Sequence, residues 1–383
     1  MFLRTLNLVQ LLKKKSFFLF GPRATGKSFL IRQQFSNSTA VLNLLDGFIY
    51  NSLSANPSEL QNFIAAYPSS KIVVIDEIQR IPELLNEVHK LIEEQHYRFL
   101  LTGSSARTLK RRGVNLLAGR AWKANLFPLT SIEIPHFNLE RYLQYGGLPA
   151  VYASQYPEEE LRAYVTTYLR GEIQAEAFIR RIPAFSRFLQ VAALTSGTML
   201  NFSSLSNDAG VPVTTVRKYY QILEDTFLGF LVPAWQKSIK RKAIATAKFY
   251  FFDTGVRNTL ANINVISKHS DLYGQAFEHF IGMELRAYLS YQRLHLPLQY
   301  WRSKHGHEVD FIMGDEIAIE VKSTNKVTDK HLKNSRYLME EGICKKYYLI
   351  SHDKLPRVVD GIQILHWSDF LNQLHDGKII RTE

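Results

Sequence analysis

The sequence predicts an α/β protein of several domains: a parallel sheet with helices in the N-terminal third, a helical middle ending in two helices and a hairpin, and a smaller C-terminal α/β unit. Three observations carry that expectation. A short aromatic strand, SFFLF, runs directly into the glycine-rich stretch GPRATGKS. A continuous apolar run, KIVVIDE, reads as a strand buried on both faces, as in a parallel sheet covered by helices. Further on, EVDFIMGDEIAIEVKS sets two apolar strands around a Gly-Asp turn, with a carboxylate on each. A chain of 383 residues has room for two or three such units.

Composition narrows the class. The 47 basic and 35 acidic residues leave a net charge of +12. That excess favours a polyanionic partner such as nucleic acid, or simply describes a basic soluble protein. The single cysteine, Cys344, excludes an internal disulfide framework and suits a reducing cytoplasm. The opening MFLRTLNLVQLLKKK has its lysines after the apolar stretch, which is the wrong order for a targeting peptide. No apolar run approaches the roughly 20 residues that span a bilayer. The expectation is a cytoplasmic protein that does not cross a membrane.

GPRATGKS matches GxxxxGK[ST] in full, with a strand before it and a helix-compatible stretch after it, the context this motif requires. Gly21, Pro22, Arg23, Ala24, Thr25 and Gly26 would wrap backbone N–H groups around phosphate at a helix N-terminus. Lys27 would reach the β- and γ-phosphates of ATP, Ser28 would ligate Mg²⁺, and Phe29 closes the nucleotide-binding stretch. Asp76, at the end of the second strand, would hold the Mg²⁺ shell, and Glu77 would polarise the attacking water. A third strand, YRFLLT, leads into GSSAR; Thr102 and Ser104 are both candidates to sense the γ-phosphate.

The stretches GPRATGKS, VVIDEIQ, LLTGSSAR, LLAGRAW, FPLTSIE and YGGLP resemble the AAA+ ATPases. More narrowly, they resemble a prokaryotic group of ATP-binding proteins with a C-terminal domain of unknown function. The resemblance covers residues 16–150 and implies ATP hydrolysis in a homo-oligomeric ring, each site completed by a neighbour's arginine. By position that arginine is Arg120, with Arg107, Arg111 and Arg112 as competitors. Pro149, in the GLP of YGGLP, resembles the lid element that packs against the nucleotide base. Residues 1–150 form this first domain.

Residues 151–195 read as a helical lid or connector, with apolar positions spaced by three and four. Residues 196–265 then read as a winged helix-turn-helix: a short helix, a turn at Gly210, and a second helix from Thr214 with Val216, Tyr220, Leu223 and Phe227 on one face. Arg217, Lys218 and Gln221 face away from that apolar stripe, as a DNA-reading helix requires. The loop KSIKRK, with Lys240, Arg241 and Lys242, would form a basic wing tip against a phosphate backbone. A protein-binding or ring-packing role is the alternative.

Residues 266–383 form the last unit. Strand period places Glu320 and Lys322 on one face, with Ile319 and Val321 on the other. Asp310 shares the first face only if a three-residue loop, Gly314 to Glu316, sets it opposite Glu320; a two-residue turn would pair it with Ile319. Two carboxylates facing each other are unfavourable unless a cation stands between them.

An acid on one strand followed by ExK on the next resembles the PD-(D/E)xK nuclease superfamily, here as Asp310 and Glu320-Val321-Lys322. Its helical acid matches Glu278, with Glu284 in reserve. The resemblance implies metal-dependent phosphodiester hydrolysis, with Glu278, Asp310 and Glu320 on Mg²⁺ or Mn²⁺, Lys322 activating water, and Lys330 on phosphate. The whole then reads as an ATP-driven protein acting on DNA, branched or flapped DNA included. The alternatives are a DNA-binding ATPase switch with an inert nuclease fold, and a signalling or scaffold NTPase that binds proteins.

Overall fold

The computed structural model describes residues 2–380 except 36–37, 69, 106, 108, 110–116, 118, 173–181, 241–242 and 244. Its first sheet contains β1 (Ser16–Phe20), β2 (Ala40–Asn43), β3 (Ile72–Asp76), β4 (Arg98–Gly103) and β5 (Ala121–Asn125), in the order β2-β3-β4-β1-β5. All four pairings are parallel. β1 is buried at every position, and β3 at all but its first. That is why these strands read as unbroken apolar runs: helices cover both faces. The phosphate stretch joins β1 to the helix α2 (Lys27–Gln34). β2, with alternating burial, escaped the sequence reading because four residues with two exposed give little apolar signal.

The middle is helical. Phe202–Ala209 is capped by the Asn201 side chain and ends at Gly210 in the left-handed conformation. Val213–Asp225 follows, with Val216, Tyr219, Tyr220, Ile222 and Leu223 buried. Gly210 is where the chain turns, and φ of 66° suits glycine there. β6 (Gly229–Val232) and β7 (Lys248–Phe251) pair antiparallel.

Their connection departs from expectation. Instead of projecting as a wing tip, its described residues lie along the edge of the last sheet. Ala234 bridges Tyr300, Ala243 bridges Ser303, and the Trp235 side chain is fully buried there. Glu341 accepts from the backbone N–H groups of Ile239 and Lys240 at 2.6 and 2.7 Å. The physical reason is a sheet edge that needs covering: β8 (Leu298–Arg302) is the outer strand, and this segment occupies its open side.

The last sheet has the order β12-β13-β11-β10-β9-β8. Here β9 is Glu308–Met313, β10 Ile317–Lys322, β11 Lys346–Ser351, β12 Arg357–Val359 and β13 Ile362–His366. β10, β11 and β13 are parallel, while β8, β9 and β12 run against their neighbours. The long helix Asp271–Tyr291 crosses one face. Phe277, Phe280 and Ile281 on it share a core with Phe311, Ile319 and Val321, and with Phe230 and Tyr250 from the β6–β7 pair. The β6–β7 pair therefore joins the core of the C-terminal unit, while the middle helices pack a core of their own. Among the described residues, no helix is long and apolar enough to cross a membrane.

Candidate functional sites: a phosphate loop and a carboxylate–lysine cluster

Gly21 follows β1 so closely that a Cβ there would stand 2.3 Å from the Leu126 carbonyl oxygen. Only glycine fits. The loop closes on itself through the Thr25 hydroxyl, which donates to the Pro22 carbonyl at 2.9 Å, and Gly26 enters α2 with φ of 92°. Arg23 lies with its guanidinium 5.3 Å from the Tyr168 ring centroid, Ala24 adopts a left-handed φ of 62°, and Phe29 is 40% exposed. The Lys27 ammonium donates to the carbonyls of Gly21 and Pro22 at 2.8 and 2.9 Å. Burial pushes it down to about 8, against the pull of Glu77 and Asp76.

The acids meet this loop as the sequence required. The Ser28 hydroxyl donates to Asp76 Oδ2 at 2.6 Å, so the two residues that would share Mg²⁺ already touch. The two sensor candidates separate by partner. The Thr102 hydroxyl donates to Asp76, whereas the Ser104 hydroxyl donates to Glu77 at 3.3 Å; the Gln79 amide also donates to Glu77. Glu77 sits at a left-handed φ of 63°, a strained conformation of the kind that concentrates at functional sites. Pro149 faces the loop: its Cγ is 3.8 Å from where a Cβ on Gly26 would stand. The adjoining Gly147 N–H donates to Asp253 at 2.8 Å, and burial raises that fully enclosed carboxyl to about 6. A glycine cradle, a lysine and a Ser–Asp pair are the donor set that a nucleotide with Mg²⁺ takes.

The arginines sort differently. Arg120 Nε donates to Glu93 Oε1 at 2.5 Å, at the surface. Arg107 lies 3.6 Å from Asp225, which ties it to the end of the helix Val213–Asp225. Arg111 and Arg112 lie outside the described residues, as do Arg241 and Lys242 of the basic loop. Arg217, Lys218, Gln221, Lys240 and Lys330 are exposed. Arg217 also lies over Phe202, 4.1 Å from the ring centroid, and Gln221 donates to Asp225 at 3.3 Å.

The C-terminal hairpin takes the register that brings its carboxylates together. Met313 pairs with Ile317 and Phe311 with Ile319, across the loop 314–316 with Gly314 at φ of 61°. One step further along, Asp310 stands opposite Glu320. Its Oδ2 accepts from the Val321 N–H at 2.8 Å. Lys322 Nζ lies 2.6 Å from Glu320 Oε1 and 4.0 Å from Asp310 Oδ2. Burial, then the charges of Glu320 and Glu278, push the Asp310 carboxyl well above its ordinary value, and burial also raises Glu320. Glu320 Oε2 is buried without a hydrogen-bond partner.

Glu278 approaches from the long helix, but it is engaged by the Lys248 ammonium at 3.0 Å and the Tyr250 hydroxyl at 2.5 Å. Lys248 also binds Glu308, at 2.6 Å. Among the described residues, no group of three or more His, Cys, Asp and Glu stands arranged to hold a metal ion. The sequence reading placed three carboxylates on one ion. In this structure their charge is met instead by Lys322 and Lys248. The reserve acid is corrected outright: Glu284 accepts from the Ser131 N–H at 2.7 Å, and six residues along a helix turn it away from Glu278. Sequence reasoning missed Lys248, Tyr250 and Glu308. The available signal was a lysine opening the otherwise apolar strand KFYF, since a buried lysine implies a carboxylate partner.

With these sites described, comparison with known proteins adds three family matches. Residues 13–134 match an AAA domain, residues 136–267 a domain of unknown function (DUF8612), and residues 273–370 another domain of unknown function (DUF4143). The five-stranded parallel sheet and its phosphate loop thus fit an AAA-type P-loop unit. An uncharacterized protein of Mycobacterium tuberculosis is 27% identical over 319 residues, spanning 80% of this chain and 70% of that protein. One of Haemophilus influenzae is 26% identical over 395 residues, spanning 92% and 93%. Among solved structures, the ORC1 protein of Aeropyrum pernix in complex with DNA overlaps with a TM-score of 0.26 at 11% identity, covering 65% of this chain and 86% of that one.

Proposed function

We propose that this chain is an ATPase that acts on DNA and carries, in its C-terminal unit, a site for phosphodiester hydrolysis. The observation that carries the second part is the packing of Asp310, Glu320 and Lys322 on one sheet face, with Glu278 close enough to raise the Asp310 carboxyl. The partnerless Glu320 oxygen and the close carboxyl pair form a donor set suited to Mg²⁺ or Mn²⁺. Asp310 and Glu320 would hold such an ion, with Glu278 joining them once released from Lys248 and Tyr250, and the ion would supply Lewis acidity and an activated water. The chain's own residues do the rest. The Val321 N–H fixes Asp310, and Lys322 places a positive charge where the pentacoordinate phosphorus of the transition state builds negative charge. Lys248 holds Glu278 and Glu308 in place.

At the phosphate loop, Lys27 exchanges the Gly21 and Pro22 carbonyls for phosphate oxygens. Ser28 and Asp76 hold the nucleotide's Mg²⁺, and Glu77, steadied by Gln79 and Ser104, orients water. Arg120 completes the site of a neighbouring copy in a ring, where it exchanges its surface pair with Glu93 for the γ-phosphate. The exposed Arg217, Lys218 and Gln221 offer the duplex a helix face, and the net charge of +12 draws it in.

A second reading has its own support. The carboxylates are met by lysines, and no three of them are arranged for a metal among the described residues. In that reading the C-terminal unit grips DNA without cutting it.

The test is cleavage of linear, flapped and branched DNA with Mg²⁺ or Mn²⁺, with and without ATP. The wild type is expected to cut, Asp310→Ala to lose cutting by at least about 100-fold while retaining ATP hydrolysis, and Lys27→Ala to lose ATP hydrolysis. Equal cutting by wild type and Asp310→Ala removes the nuclease assignment. No cutting with DNA affinity intact selects the gripping role.

A further inference from the structure

The lysine run at positions 13–15 remains without a role in this account. It closes the helix α1 (Leu8–Lys14) and borders a groove of about 750 Å³. The walls are α1, the outer strand β5, and the C-terminal end of the long helix Asp271–Tyr291. Phe17, near the start of β1, forms part of the floor, and the groove runs along β5 from Trp122 to Asn125.

Its chemistry is one-sided. Lys14, Lys123, Arg293 and His295 line it, and among the described lining residues none is acidic. Trp122 is 43% exposed on β5. Its ring is held edge-on by Phe17, with centroids 5.8 Å apart and planes at 87°. Lys15 Nζ stands 5.4 Å from the Trp122 centroid, and the Arg293 guanidinium 6.0 Å from it and 5.3 Å from that of Phe17. Arg293 is anchored in turn by donating to the Lys123 carbonyl.

We infer that this groove binds a single strand of nucleic acid, with one base stacked on Trp122 and the flanking phosphates on Lys14, Lys15, Lys123 and Arg293. A fixed, half-exposed indole ringed by cations is the pairing by which proteins hold unpaired strands. A duplex cannot use it, because its bases are already stacked within the helix. Charge complementarity selects a polyanion, and the exposed indole selects one that carries bases over an acidic peptide. The inference rests on the reading that the chain acts on nucleic acid. It is independent of the cutting chemistry.

The test is fluorescence anisotropy of labelled dT20 with the full-length protein, without metal or ATP, across a salt series. Trp122→Ala is expected to weaken binding about tenfold, the loss of one stacked base. Lys14→Ala with Lys123→Ala is expected to lower the salt slope by about 1–2 while leaving the fold intact by circular dichroism. Parallel titrations with rU20 identify which sugar the groove takes; groove-dependent binding of either strand supports the inference. Unchanged dT20 and rU20 affinity in both variants overturns it, even if duplex DNA still binds and the proposed function stands. Poly-glutamate binding as tightly as dT20 overturns it as well, by showing a charge trap with no use for bases. No binding of any nucleic acid by the wild type ends both readings.

Discussion

Lys27 and Lys322 are both buried lysines at a candidate phosphate-handling site, and their surroundings push them in opposite directions. Lys27 is hydrogen-bonded to two backbone carbonyls, and burial lowers it to about 8. Lys322 is raised despite its burial, because Asp310 and Glu320 stand beside it, and Lys248 is raised well above its ordinary value by Tyr250, Glu278, Asp310 and Glu308. The first site is shaped for an anion that the chain does not provide. The second carries both signs of charge itself, so its resting state is an internally neutralised cluster. A nucleotide can enter the phosphate loop after a local lysine movement. A metal at the hairpin must first compete with Lys322 and Lys248.

That contrast can be broken at Lys248. Lys248→Met strips the shared cation from Glu278 and Glu308, and we expect a loss of about 3 kcal/mol in urea unfolding, in the range for removing one partner of a buried ion pair. Lys27→Met should leave stability nearly unchanged while abolishing ATP binding. Comparable losses for both variants would erase the distinction between the sites.

A smaller effect is expected at Asp253, the acid that receives Gly147 beside the phosphate loop. Its folded value of about 6 lies above the ordinary carboxylate value. Its contribution to stability is therefore full below about pH 4 and is lost as pH rises through 6. Asp253→Asn keeps the shape and removes the titration. The melting temperature of the variant relative to wild type should climb between pH 4 and 7, by on the order of 3 °C. A constant offset would show that this carboxyl titrates as if exposed.

The smallest structural effect belongs to Arg120. Its pair with Glu93 is at the surface, and Arg120→Ala should cost no more than about 0.5 kcal/mol. ATP hydrolysis, however, should fall at least about 100-fold at concentrations where copies assemble. Unaltered hydrolysis in an assembled sample would assign the finger to another arginine.

How legible each site was follows from how local it is. GPRATGKS and IDE carry their geometry within a few residues, because the strand–loop–helix context and the glycine requirement at Gly21 are properties of contiguous sequence. The hairpin register was only half legible: the sequence left Asp310 opposite Glu320 or Ile319, and the three-residue loop with Gly314 in a left-handed turn gives the first. What sequence could not show was who answers the charges. Lys248 arrives from a strand 60 residues before Glu308; its place in an apolar strand signals that it needs a carboxylate, but not which one. The basic loop shows the same limit: its lysines suggest a free tip, whereas its described neighbours Ala234, Trp235 and Ala243 lie against β8.

The central claim is that the Asp310–Glu320–Lys322 cluster is a metal site in waiting and not a structural ion pair. The direct measurement is calorimetric titration of Mn²⁺ into nucleotide-free wild type and Asp310→Asn, a variant that preserves the Val321 hydrogen bond. The account predicts one ion fewer per chain in the variant, with unfolding otherwise unchanged. Identical Mn²⁺ stoichiometry and affinity in the two proteins would contradict it.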